Sequence, residues 1–89
     1  MQSTRLNAYL VDDESLALER LERLLAEFDQ IAVTGKANDP AQAVAFLNNS
    51  EAEGIDVLFL DIEMPGMTGF ELLSRLQRQP FVIFTTAYD

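Results

Sequence analysis

The chain has 89 residues, 48% hydrophobic and 24% charged, enough for one small domain with a thin core and unlike the composition of a disordered segment. Fifteen acidic residues against six basic ones leave a net charge of −9, which repels a phosphate backbone, argues against nucleic acid as a direct partner and favours cations. Cysteine and histidine are both absent, which excludes disulfides, thiolate metal centres and imidazole chemistry.

Leu6 to Val11 reads as a short buried strand that runs into Asp12-Asp13. From Glu14 to Asp29 the period changes. Leu18, Leu21, Leu24, Leu25 and Phe28 recur at three- and four-residue spacing among Glu19, Arg20, Glu22, Arg23 and Glu27, which predicts an amphipathic helix. Ile31 to Val33 begins a second strand, with Lys36 after it as a surface charge. Asp39-Pro40-Ala41-Gln42 supplies an N-cap, a proline at N1 and a Gln at N3, opening a helix to about Asn49.

Ile55 to Leu60 has no polar alternation after Asp56, as a strand covered on both faces should, and Asp61 ends it. Thr68-Gly69-Phe70-Glu71 is a capping box for a third helix with Phe70, Leu73 and Leu76 on one face, stopped by Pro80. Phe81 to Thr85 is the fourth strand. Alternating strands and helices joined by short loops require right-handed crossovers and a mostly parallel sheet, so the class is α/β, doubly wound. No repeat or linker divides the chain, and residues 1–89 are read as one domain. The longest apolar run, Val57 to Leu60, is too short to span a bilayer and no signal-peptide pattern opens the chain; a cytoplasmic location without a membrane partner is expected.

In a doubly wound sheet the loops at the C-terminal strand ends share one edge, and ligands sit where the strand order reverses. If the first and third strands are neighbours across that point, Asp12, Asp13 and Asp61 converge. Three adjacent carboxylates repel one another unless a cation intervenes or one keeps a proton. The donors are all oxygens, which suits Mg²⁺ or Mn²⁺ rather than Zn²⁺. Asp61 could then attack phosphorus in line, with a phosphoryl oxygen held by the ion, to give an aspartyl phosphate. Singly, each residue has a plain structural reading: Asp12 or Asp13 as a helix cap, Asp61 as a turn residue, Glu63 as a solvated loop carboxylate, Met64 and Met67 as loop packing, Thr86 as a strand-end hydroxyl. Their joint placement at strand ends is what points to chemistry.

The stretches "YLVDDESLALERLERLL", "DVLFLDIEMPGMTGFELL" and "PFVIFTTAYD" resemble the receiver domain of two-component response regulators. The resemblance implies a flavodoxin-like, CheY-like fold in which Asp61 is the phosphorylated aspartate. It implies that Asp12 and Asp13 hold Mg²⁺, that Glu63 adds a metal ligand through its backbone carbonyl, and that Thr86, followed by Ala87, is the switch hydroxyl. Tyr88 lies on the loop that relays the change. A sensor histidine kinase would be the phosphodonor, and the domain would act as a switch and not as a turnover enzyme. "DIEMPGMTG" with "FTTAYD" is most similar to receivers of the LytR/AlgR kind, which implies DNA contact only through a separate LytTR effector domain.

The family pattern continues past the switch threonine through a fourth helix, a fifth strand with an invariant lysine and a fifth helix, whereas this sequence stops at Asp89. The expectation is therefore an N-terminal fragment, residues 1–89, with strand order 2-1-3-4, the fifth strand and last two helices missing, and Lys36 unable to act as the family lysine. The fourth strand would then be a bare apolar edge, from which self-association as a dimer is expected. The alternatives are a haloacid-dehalogenase-like phosphatase, loosely suggested by Asp61-Ile62-Glu63, and a non-phosphorylated dimerisation module. A dinucleotide-binding unit is disfavoured because the first turn is Asp-Asp-Glu without G-x-G-x-x-G.

Overall fold

Strands and helices alternate along the chain in the computed structural model, which describes residues 5–85. β1 spans Leu6–Val11, α1 Ser15–Leu25, β2 Ile31–Ala37, α2 Pro40–Leu47, β3 Val57–Asp61, α3 Gly69–Ser74 and β4 Phe81–Thr85; a 3₁₀ turn, Ser50–Gly54, lies between α2 and β3. Every strand pair is parallel and the order is β2-β1-β3-β4. This is the flavodoxin-like, CheY-like α/β fold, with the strand order reversing between β1 and β3.

Side-chain alternation along the inner strands explains how both faces are covered. Ala8, Leu10, Val57 and Phe59 pack with Leu18 and Leu25 of α1 on one face. Tyr9, Val11, Leu58 and Leu60 pack with Ala43, Leu47, Leu72 and Leu76 from the α2 and α3 side on the other. Leu10, Leu58, Leu60 and Leu72 are fully buried, each contributing roughly 1.5–3 kcal/mol of transfer free energy. Among the described residues no helix is long and apolar enough to cross a membrane.

Several boundaries differ from the sequence expectation, each for a visible reason. α1 stops at Leu25, and Leu24 and Phe28 are exposed; at 100° per residue Leu24 lies well off the Leu18–Leu25 stripe. β2 runs on to Ala37 through an irregular register between Ala8 and Tyr9 of its partner, so Lys36 sits inside the strand rather than after it. β3 begins at Val57, and just ahead of it Asp56 is tied to β1 twice, its N–H donating to the Asn7 carbonyl at 2.8 Å and its carboxylate accepting the Asn7 N–H at 2.7 Å. The 3₁₀ turn at Ser50–Gly54 is opened by Asn49, which accepts the Glu51 N–H at 2.9 Å.

α3 buries Leu72, with Leu76 buried just past its end, leaves Leu73 half-buried and turns Phe70 outward. It ends at Ser74, well before Pro80. Asn48 closes that end: its Nδ2 donates to the Arg75 carbonyl at 2.9 Å and its Oδ1 accepts the Gln77 N–H at 2.7 Å. One amide at the C-cap of α2 thereby holds both a carbonyl at the end of α3 and an N–H just past it, so the helix stops ahead of the expected Pro80.

Candidate metal centre

Two adjacent parallel strands deliver the acidic residues. Val11 pairs with Leu60 at the end of the β1–β3 ladder, so the residues that follow leave at the same level. Asp12 stays tied to the sheet through its N–H, which donates to the Ala37 carbonyl at 3.2 Å. Asp61 is the last residue of β3 and pairs with Thr85. One carboxylate oxygen from each of Asp12, Asp13 and Asp61 lies within 4.8 Å of the others, and all three residues are half-buried.

Local bonds orient this cluster. The Asp12 Oδ1 accepts the Glu14 N–H at 2.9 Å, whereas the N-cap position of α1 is Glu14, whose side chain makes no capping bond. Asp12 thus closes an Asx turn ahead of the helix rather than capping it. The Glu63 backbone N–H favours the charged form of the Asp61 carboxylate. The Glu63 side chain itself is exposed in the β3–α3 loop.

Electrostatics follow from crowding. Burial, and then the neighbouring Asp12 carboxylate, push Asp61 up to about 6 from an ordinary 3.8, against the Glu63 N–H. Burial also raises Asp12, opposed by the Glu14 N–H. An acidic group raised by desolvation and a like charge is where a cation has most to offer. Three hard oxygen donors in mutual reach, without nitrogen or sulfur, fit an oxygen-seeking dication such as Mg²⁺. Lys36 does not serve here, because its Nζ pairs with Glu22 Oε1 of α1 at 2.7 Å.

The loop after Asp61 is short and held at both ends. Met64 is buried and Gly66 takes φ +82, a left-handed turn conformation. Thr68 Oγ1 accepts the Glu71 N–H at 3.1 Å while Glu71 Oε1 accepts the Thr68 N–H at 2.8 Å. The capping box read from the sequence is present in full. Of the expected site residues, Asp12, Asp13 and Asp61 come together and Glu63 lies two residues past Asp61 in the β3–α3 loop; Thr86, Ala87 and Tyr88 lie outside the described residues. The sequence reading passed over Gly69, whose N–H donates to the Ile62 carbonyl at 2.7 Å. A glycine inside a capping box was the available signal.

The family described as response regulator receiver domain matches residues 8–89. An uncharacterized response regulatory protein of Vibrio cholerae is 46% identical over 86 residues, covering 94% of this chain and 35% of the relative. The transcriptional regulatory protein BtsR of Escherichia coli is 35% identical over 82 residues, 90% of this chain and 33% of that protein. The chain thus spans about a third of the length of the curated relatives it matches. Among solved structures, the signal receiver domain of the response regulator NarL from Mycobacterium tuberculosis superposes with TM-score 0.78 at 29% identity, over 97% of this chain and 69% of that one. A CheX–CheY–BeF₃–Mg²⁺ complex from Borrelia burgdorferi gives 0.79 at 27% identity, over 96% and 64%.

Proposed function

The chain belongs to the response regulator receiver domain family, and from that membership in a two-component signalling module we propose that it is a phospho-acceptor switch whose reactive group is the Asp61 carboxylate. One observation carries the reading: oxygens of Asp12, Asp13 and Asp61 lie within 4.8 Å of one another at the ends of adjacent parallel strands. Asp61 is the acceptor because it ends the central β3, beside the carboxylates that follow β1. The donor is a phosphohistidine of a sensor histidine kinase. A bond forms from an Asp61 oxygen to phosphorus as the phosphorus–nitrogen bond breaks, and the leaving imidazole keeps the electron pair and takes a proton from solvent.

Bound Mg²⁺ supplies neutralisation of the carboxylates and of the phosphoryl oxygens. Asp12, Asp13 and Asp61, with the Glu63 backbone carbonyl, are the groups that would hold it. The solved complex of a similar CheY with BeF₃ and Mg²⁺ supports this ligand chemistry. Thr86, next after the Asp61-paired Thr85, is assigned the switch hydroxyl. The output is carried by an attached or separate effector, a LytTR-type DNA-binding regulator in this reading, and similarity to BtsR supports a transcriptional role. The whole assembly is placed in the cytoplasm. The phosphatase reading loses ground because its nucleophile belongs after the first strand, whereas Asp61 follows β3.

Self-association belongs to the same proposal, with residues 1–89 taken as a receiver unit. Phe81 is 79% and Ile83 43% exposed on β4, the edge strand among the described residues. The Phe81 N–H and Thr85 carbonyl bond to the β3 side, so alternation turns the backbone groups of Val82 and Phe84 outward. An uncharged edge of this kind favours pairing with a second copy.

The acceptor assignment is tested with beryllofluoride and Mg²⁺. A fluorine NMR signal of bound beryllofluoride is expected in the wild type and not in Asp61→Asn; the same signal in both would remove Asp61 from the role.

A further inference from the structure

Gly69 is the first residue of α3 and is buried. A Cβ built on it would lie 2.6 Å from the backbone carbonyl oxygen of Asp61 and 3.3 Å from both Ile62 Cα and Leu60 Cγ. The tightest of these approaches is to main chain, so rotating a side chain cannot relieve it. We infer that Gly69 is a positioning residue for the Asp61 carboxylate: without a side chain it lets α3 lie against the 61–62 peptide, and this fixes how far Asp61 stands from Asp12 and Asp13. The inference rests on the metal-binding reading above and adds a residue that does not touch the ion.

Strain introduced at this junction would be released toward Asp61 rather than toward α3. The helix is anchored by buried Leu72, by both bonds of the capping box, and, just past its far end, by buried Leu76 and the two Asn48 bonds to Arg75 and Gln77. The strand tip is held less firmly. The β1 ladder ends at the Val11–Leu60 pair, so Asp61 has a partner only in Thr85. The next bond, Ile62 N–H to the Thr85 carbonyl, is stretched to 3.4 Å. Restoring ordinary contact means opening the approach from 2.6 Å to at least 3.4 Å. Ligand constellations tolerate displacements of only about 0.5 Å.

Gly66 offers a control within the same loop. Its φ of +82 makes alanine strained there, yet a Cβ would meet nothing within 4 Å. Thr68 offers a second, since Thr68→Ala loosens the start of α3 without adding bulk beside Asp61.

The test is a Mg²⁺ titration of the 89-residue chain followed by amide chemical shifts, with thermal melts of each variant in the absence of metal. Gly69→Ala is expected to keep a cooperative melt and to bind Mg²⁺ about tenfold more weakly or worse. Gly66→Ala and Thr68→Ala are expected to melt at lower temperature with wild-type Mg²⁺ affinity. Unchanged affinity in Gly69→Ala would overturn the inference and leave the metal reading standing. An equal loss in Thr68→Ala or Gly66→Ala would overturn it by showing that any damage to the loop suffices. A Gly69→Ala chain without a cooperative melt would overturn it too, making the glycine a requirement of the fold. No Mg²⁺ binding by the wild type would overturn both readings.

Discussion

Asp61 and Asp12 reach each other from different strands, carboxylate oxygens within 4.8 Å, and this proximity, added to burial, pushes Asp61 up to about 6. The fold therefore holds an anion where the protein alone stabilises it poorly. A group in that condition gains from a dication and gains again when its charge is spread onto a phosphoryl group.

The first consequence is a pH dependence of the metal-free chain. Folded Asp61 binds its proton more tightly than the unfolded residue, whose ordinary value is 3.8. Its contribution is therefore most favourable below about 4, falls as the pH rises toward about 6, and is level above that. Asp61→Asn removes this slope and should stabilise the metal-free chain by about 1 kcal/mol at pH 7, the shift being discounted for partial solvent screening. Urea denaturation at pH 4 and pH 7 measures it; an Asn variant less stable than the wild type at pH 7 would contradict the electrostatic account.

Mg²⁺ should reverse that penalty. At a concentration one hundred times its dissociation constant, a ligand of the folded state alone adds about 2.7 kcal/mol. Melting of the wild type should shift upward with Mg²⁺, and Asp13→Asn should need about tenfold more metal or beyond for the same shift. Equal shifts in both proteins would leave Asp13 without a role in the site.

The capping box is separable from the chemistry. Thr68→Ala should cost about 1 kcal/mol by leaving the Glu71 N–H without its side-chain acceptor. Phosphoryl acceptance by Asp61 should survive at temperatures where the variant is folded. Loss of acceptance in a folded Thr68→Ala chain would tie the helix start to the reaction.

Self-association predicts a concentration-dependent mass in light scattering. Ile83→Lys places a charge on the exposed side of β4 without disturbing a buried contact and should yield a monomer. A wild-type chain that is monomeric at every concentration would remove the proposed edge pairing.

The sequence carried most of the fold because the strands and helices declared themselves by periodicity, and several of them by a terminus as well. β1, β4, the Asp39 N-cap and the Thr68–Glu71 capping box appear where local chemistry puts them. Asp12, Asp13 and Asp61 were legible because parallel topology brings C-terminal strand ends together whatever lies between. What was not legible depended on distant partners. The end of α3 is set by Asn48, 27 residues before Arg75 in sequence, and no local rule announces that. Phe70 fits the apolar spacing of α3 yet faces out against Phe84, ring centroids 4.9 Å apart, since Leu72 takes the core position. Gly69 was visible as a glycine inside the capping box, but not its constraint, the Asp61 carbonyl, which only the folded loop brings near.

The most direct test of the central claim is the mass and site of modification after incubation with a small-molecule phosphodonor and Mg²⁺. The account predicts one phosphoryl group per chain, mapped to Asp61 after borohydride reduction and peptide sequencing, and none in Asp61→Asn. A phosphoryl group on another residue of the wild type, or retained in Asp61→Asn, would contradict it.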